Sequence, residues 1–332
     1  MNKLKVISTF DGMSCGRIAL DGSELPIQCY HASEIDKWAK MVSAHNYPDI
    51  RPVGDVCDLD PYDYSDFDLI IGGSPCQSLS VAGKKKGITT NDGQIVDSLE
   101  KYMFLKEMGY GYDKKSSKYF NSSSLFWEFI RIYRGIKRYN PNVKFLLENV
   151  VNNEWAKLIT KELGVEPILI NSSTVSAQNR QRHYWTNIEY TPIQFNGYNI
   201  GEVIPGAVSG AGHRGVPQKN WVKTPENPYK HVQKLTVRKD GLANCLTAYG
   251  GDLTRKYQDT HGDIHIIGIE DAERLQTVPV GYTDVPGVSE YQRFKMLGNG
   301  WTVDVIKHIF SCLRFELLQN NILEVTDRKY NP

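Results

Sequence analysis

The chain has 332 residues, 40% of them hydrophobic and 23% charged, with a net charge of +1. That is the balance of a globular protein with room for one large domain and a smaller one. No apolar run approaches the roughly 20 residues needed to span a bilayer, and the opening Met1-Asn2-Lys3-Leu4-Lys5-Val6 is not a signal peptide, so no membrane partner and a cytosolic or nuclear location are expected. The near-zero charge conceals a gradient, since residues 1–70 carry a net −6 and residues 71–189 a net +6. A polyanion would favour the middle of the chain, although uneven surface charge alone would account for the pattern. The cysteines are Cys15, Cys29, Cys57, Cys76, Cys245 and Cys312. None forms a C-x-x-C pair and no secretory feature is present, so they read as reduced, without a structural zinc.

In chain order, Leu4-Lys5-Val6-Ile7-Ser8 reads as a buried strand, followed by a turn and a helix from about Ser14. Ile27 to Ser33 reads as a second strand, and Asp36 is placed to cap a helix patterned on Trp38, Met41 and Val42. Phe67 to Gly72 and Val143 to Leu147 read as further strands. Between them Leu125, Phe126, Phe129, Ile130, Tyr133 and Ile136 keep helical spacing until Pro141. Strands alternating with helices predict an α/β, Rossmann-like fold with a mainly parallel sheet covered on both faces. Ligands of such sheets bind beyond the carboxyl ends of the strands.

Two segments break the rhythm. Residues 83–121 are polar and basic, with one helix predicted near Val96 to Met108. Residues 190–265 are rich in Gly, Pro, Thr and basic side chains, and predict a small loop-rich, β-leaning domain. The expected organisation is therefore 1–189 with 266–332 as one discontinuous domain, and 190–265 as the other. A final helix is predicted from about Val303 to Leu318.

Chemistry concentrates at a few strand ends. Gly72-Gly73-Ser74-Pro75-Cys76-Gln77-Ser78-Leu79-Ser80 sets a thiol just after a strand, where nearby positive charge would make it a nucleophile. Leu146-Leu147-Glu148-Asn149-Val150 puts a carboxylate directly after a buried strand, a costly place unless it has a task. Gln178-Asn179-Arg180-Gln181-Arg182 supplies two arginines, Phe10-Asp11-Gly12-Met13-Ser14 a turn after the first strand, and Gly298-Asn299-Gly300-Trp301-Thr302-Val303 the opening of the last helix. The first turn lacks the G-x-G-x-x-G of dinucleotide binders.

Together and in this order, these segments resemble the cytosine-C5 DNA methyltransferases over nearly the whole chain. The resemblance implies an S-adenosylmethionine-dependent methyltransferase fold and a reaction in which a cytosine is flipped out of duplex DNA. Cys76 then adds to carbon-6 and a methyl group passes to carbon-5. It implies that Glu148 bonds N3 and the exocyclic amine of the base, as a carboxyl able to carry a proton. Arg182 would contact the cytosine O2 and hold the glutamate, and Arg180 would bond the DNA backbone or support its loop. Cofactor contacts are implied for Phe10, Asp11, Gly12, Glu34, Ile35, Asp55, Val56, Pro75, Asn299, Trp301 and Val303, with Glu34 on the ribose diol and Asp55 on the adenine amino group. No metal is called for, because a sulfonium is already a reactive methyl donor. Ser78, Ser80, Lys84 and Lys85 are candidates for phosphate contacts. Arg238, Lys239, Thr247 and Arg255 are candidates for contacts made by residues 190–265 acting as a target-recognition domain. Gly300 and Trp301 depart from the usual serine and aliphatic residue, and Trp301, with Glu148-Asn149-Val150-Val151 and Val175-Ser176-Ala177, leans toward the animal de novo branch. Arg274-Leu275-Gln276-Thr277-Val278-Pro279 fits the motif that props the small domain.

The implied setting is a monomer in a bacterial or phage-infected cytoplasm, with double-stranded DNA as partner and a restriction endonuclease of the same site as a further one. A transfer-RNA methyltransferase of the same fold and a non-catalytic DNA-binding relative are the competing readings. A cysteine-bearing oxidoreductase is disfavoured by the first turn.

Overall fold

Leu4–Thr9 (β1), Leu69–Gly73 (β4) and Lys144–Asn149 (β5) are nearly continuous apolar runs, and almost every side chain on them is buried, not every second one. Burial on both faces is the signature of a strand covered on two sides. These strands form the centre of a seven-stranded sheet in the order β3-β2-β1-β4-β5-β7-β6. The others are Ile27–Ser33 (β2), Arg51–Gly54 (β3), Ile168–Asn171 (β6) and Gln181–Thr186 (β7). The computed structural model describes residues 3–75, 89–112, 115–116, 118–120, 122–150, 153–195, 197–217, 231–248, 255–320 and 322–323. Contacts divide the chain into two compact units, Met1–Ile170 with Gln181–Pro192 and Ile306–Pro332, and Asn171–Arg180 with Ile193–Val305.

In the first unit β3, β2, β1, β4 and β5 are parallel and β7 runs antiparallel to β5. The parallel part follows the predicted alternation of strand and helix, through Cys15–Gly22 (α1) and Lys37–Asn46 (α2). Asp36 caps α2 as its sequence position predicts, accepting from the amides of Trp38 (2.9 Å) and Ala39 (3.2 Å). The polar excursion contains the predicted helix, Leu99–Glu107 (α3), and precedes Phe126–Tyr139 (α4). α4 sends Phe126, Phe129, Ile130, Tyr133 and Ile136 into a core shared with Ile7, Ile70 and Leu147 of the sheet. Asn153–Leu163 (α5), β3 and β7 were not legible as elements, because each is short or flanked by polar residues.

The second unit carries a separate four-stranded antiparallel sheet in the order β11-β10-β8-β9, built from Ala207–Pro217 (β8), His231–Val237 (β9), Lys256–Asp259 (β10) and Ile264–Ile266 (β11). This is the expected β-leaning part of the chain. The same unit holds the short helices Ile200–Val203 (α6), Ile269–Leu275 (α7) and Glu290–Asn299 (α8). The last helix, Val303–Gln319 (α9), begins where the sequence placed it. No helix among the described residues is long and apolar enough to cross a membrane.

Gly135, within α4, shows how tightly this helix is set. A Cβ there would sit 2.2 Å from Cβ and 2.8 Å from Cγ of Pro61. Alanine favours a helix over glycine by up to about 1 kcal/mol, but overpacking against a proline ring costs about 1–3 kcal/mol. Gly135→Ala is therefore expected to lower the unfolding free energy measured in urea, despite the better helix former.

Candidate active site

The carboxyl edge of the sheet in the first unit carries Glu148 and Arg182 together with the expected cofactor contacts from Phe10 to Pro75. Glu148 lies near the end of β5, opposite Gly73 of β4 on one side and Tyr184 of β7 on the other. Its side chain is 10% exposed, and its Oε1 lies 3.1 Å from Nε of Arg182. The register explains this pair. Arg182 stands two residues before Tyr184 and so shares a face with Glu148 as its diagonal neighbour, at a separation that only a long side chain spans. Arg182 also donates from Nη1 to the carbonyl of Gln181 at 2.7 Å, which fixes the fork. Removing one member of so enclosed a pair would leave an uncompensated charge.

The loop after β4 is held from β5. Asn149 Nδ2 donates to the carbonyl of Ser74 (3.1 Å) and to its hydroxyl (2.8 Å), while its Oδ1 accepts from the amide of Val150 (2.7 Å). The residue beside Glu148 thus anchors the loop that leads through Pro75 to Cys76. The motif alone assigns Asn149 no part. Its position directly after the glutamate, facing away from it along the strand, was the available signal. Cys76, Ser78, Ser80, Lys84 and Lys85 lie outside the described residues.

The turn after β1 is strained in a regular way. Phe10 (φ 55°) and Ser14 (φ 64°) occupy the left-handed region with Gly12 (φ 60°) between them. Only the glycine does so at no steric cost, and such outliers persist where surrounding bonds over-determine them. Here those bonds are plain. Asp11 accepts from Ser14 Oγ (2.5 Å) and Tyr30 Oη (2.6 Å), and Ser14 Oγ also meets Ser43 Oγ at 2.6 Å. The amide of Gly12 donates to Glu34 Oε2 at 2.7 Å, and Glu34 Oε1 accepts from the amides of Ile35 (2.8 Å) and Asp36 (2.7 Å). Glu34 is therefore locked at the end of β2 with acceptor capacity left on its outer oxygen. Beside it, Ile35 is 68% exposed, an apolar face offered to a ligand. A small pocket opens here, lined in part by Asp11, Gly12, Ala32, Glu34, Lys40 and Ser43. Asp55, at the end of β3, accepts from the amide of Cys57 (2.9 Å) and so caps a short 3-10 turn, with Val56 buried behind it.

Within the second unit, Arg180 is 3% exposed. Its guanidinium donates to the carbonyls of Leu246 (2.9 Å), Gly298 (3.2 Å) and Gly300 (2.7 Å). Gln178 is equally enclosed, donating to the Leu275 carbonyl (3.2 Å) and accepting from the amide of Leu246 (2.9 Å). Gln276 donates to the Leu297 carbonyl (2.5 Å) and accepts from Thr302 Oγ1 (2.8 Å). Alternate residues of the Gln178–Arg182 motif thus have different surroundings, Arg180 among carbonyls and Arg182 on a carboxylate. Gly298 is required for this packing, since a Cβ there would fall 2.4 Å from both the Thr247 carbonyl carbon and the Ala248 amide. Asn299 and Thr247 are exposed, Trp301 half-buried and Val303 buried. Arg238 pairs with Asp240 and reaches Asn244, while Arg255 lies 3.3 Å above the centre of the Phe294 ring, so both are engaged within the unit; Lys239 is exposed.

The family model described as C-5 cytosine-specific DNA methylase matches residues 4–104. The type II methyltransferase M1.ScrFI of Lactococcus lactis subsp. cremoris is 26% identical across 96% of this chain and 80% of its own length. The orphan methyltransferase M.Rho11sI of Bacillus phage rho11s is 39% identical over 30% of this chain, and there the chain spans only 21% of the relative's length. Among solved structures, a mutant of Spodoptera frugiperda DNMT2 shares the fold with a TM-score of 0.61 at 17% identity, covering 94% of this chain and all of that one.

Burial pushes the Asp11 carboxyl up to about 6, and Glu34's charge adds to the rise, while bonds from Ser14, Ser8 and Tyr30 pull it down. A raised carboxyl means the folded protein holds this proton more tightly than the unfolded chain. Its contribution to stability is therefore present at low pH and lost as pH rises from about 4 through about 6. Asp11→Asn is expected to remove that decline from a curve of unfolding free energy against pH; an unchanged slope between pH 4 and 6 would show that another group causes it.

Proposed function

We propose that the chain is a member of the C-5 cytosine-specific DNA methylase family, whose model matches residues 4–104, and that it methylates carbon-5 of cytosine in double-stranded DNA with S-adenosylmethionine as donor. One observation carries the reading most directly, the enclosed Glu148–Arg182 pair at the strand end beside Gly73, three residues ahead of Cys76. A buried carboxylate paired with an arginine and set beside a loop bearing a thiol suits the polarisation of a flat, hydrogen-bonding base.

The chain's own groups divide the work. The base leaves the duplex stack to reach them. The Cys76 thiolate bonds to carbon-6 while Glu148 shares a proton with N3, so the electrons of the C5–C6 double bond are drawn into the ring toward N3 and carbon-5 becomes an enamine carbon. Arg182 holds Glu148 in register and faces O2 of the base. S-adenosylmethionine, when bound, supplies an electrophilic methyl group that carbon-5 takes. Loss of the carbon-5 proton then expels Cys76 and restores the aromatic ring. The residues present fit that donor. The outer oxygen of Glu34 suits a ribose hydroxyl, the exposed Ile35 and the half-buried Phe10 suit an adenine ring, and Asp55 suits its amino group. Residues 190–265 are proposed to read the target sequence, with the exposed Lys239 and Thr247 the foremost candidates. A restriction endonuclease of the same site is the partner against which such a modification would protect DNA.

The test is to incubate the protein with S-adenosylmethionine and unmethylated DNA, with transfer RNA in parallel, and to analyse digested nucleosides by mass spectrometry. The expected product is 5-methyldeoxycytidine from DNA alone, absent with Cys76→Ser and slowed about 10²- to 10⁴-fold with Glu148→Gln. Methylcytidine in the RNA would reassign the substrate. No product from folded, cofactor-binding protein would refute catalysis and favour a DNA-binding role.

A further inference from the structure

Among the ties between α3 and α4 is one buried carboxylate. Glu128, in the first turn of α4, is 0% exposed. Its Oε1 accepts from Tyr102 Oη (2.5 Å) and Lys106 Nζ (2.6 Å), both on α3, and its Oε2 accepts from Arg131 Nε (2.5 Å). A carboxylate so enclosed persists only because each oxygen is bonded to strong donors. The arrangement continues beyond it. Arg131 Nη2 donates to the carbonyl of Val56 at 3.2 Å. Tyr102 Oη meets Tyr112 Oη at 3.1 Å.

These groups share one poorly hydrated region with the loop after β3. Burial raises the Tyr112 phenol well above its usual range, with Cys57, Glu128 and Asp55 adding to the rise. Burial likewise pushes the Cys57 thiol up to about 12, with the charges of Glu128 and Asp55 adding. Val56 and Cys57 form the 3-10 turn that Asp55 caps. The Val56 carbonyl takes only a long bond from within that turn, from the amide of Leu59 at 3.4 Å. Arg131 is thus a charged clamp on a carbonyl whose bond within the turn is long, and Glu128 orients that clamp.

We propose that Arg131 and Glu128 are positioning residues for the turn at Asp55–Val56, and that through them α3 of the excursion governs how this turn reads the adenine of the methyl donor. The inference rests on the reading that this turn meets the adenine. It predicts a defect specific to the base, because a displaced Asp55 loses its bond to the 6-amino group while the ribose contact at Glu34 stays.

The experiment uses the full chain and isothermal titration with S-adenosylhomocysteine and with S-inosylhomocysteine, whose 6-oxo group cannot donate to Asp55. The unsubstituted protein is expected to prefer the adenine form. Arg131→Met should weaken the adenine form about tenfold, leave the hypoxanthine form nearly unchanged and so collapse the preference. Arg131→Lys, which keeps a cation on Glu128 but has no fork to reach Val56, should lose about threefold and covers the case in which the methionine variant does not fold. A merely structural role would weaken both ligands alike. An intact preference in folded Arg131→Lys or Arg131→Met overturns the inference. A parent protein that binds both forms equally overturns it too but spares the cofactor reading, whereas one that binds neither overturns the cofactor reading first.

Discussion

The Glu148–Arg182 ion pair depends on the antiparallel pairing of β7 with β5, beside strands that run parallel from β3 to β5. Because β7 runs against β5, Arg182 arrives at the carboxyl end of β5 at its own beginning, and the sheet's period of two sets it on the face of Glu148. A slip of one residue would turn the guanidinium to the other face and leave the carboxylate buried without a partner. The bond from Asn149 to Ser74 follows from the same strand end, so one stretch of β5 holds both the acid and the loop that leads to Cys76.

The second unit solves a different problem with the same kinds of residue. Short helices and loops leave many backbone carbonyls without partners in regular structure, and buried ones must be bonded. Arg180, Gln178 and Gln276 meet that need by bridging the segments around Leu246, Leu275 and Gly298–Gly300. An arginine is well suited, since its fork serves several carbonyls at once and its charge is never lost.

Much of this was legible in the sequence for a physical reason. Strands buried on both faces read as continuous apolar runs, so β1, β4 and β5 stand nearly where their patterns placed them, and helical spacing and capping did the same for α2 and α4. The β3 strand, Arg51–Gly54, is four residues long, mostly exposed and edge-lying, and β7 carries Gln181 and Arg182 at its start, so neither announces itself by hydrophobicity. The candidate site was legible as chemistry through its motifs, but its supports were not. Nothing in the sequence links Arg131 to Val56 across 75 positions, or separates Arg180 from Arg182, because burial and register decide both. Likewise the basic residues Arg238 and Arg255 suit a groove by type, yet an acid and an aromatic ring already engage them.

The central claim is that Cys76 forms a bond to cytosine with Glu148 assisting. DNA carrying 5-fluorocytosine tests it most directly, because fluorine at carbon-5 cannot leave as a proton and the thioether to carbon-6 is retained after methyl transfer. The account predicts a protein–DNA adduct that survives denaturation, carries the transferred methyl group and maps by peptide mass spectrometry to Cys76. Adduct on another cysteine, or none at all from protein that binds both DNA and S-adenosylmethionine, would contradict it.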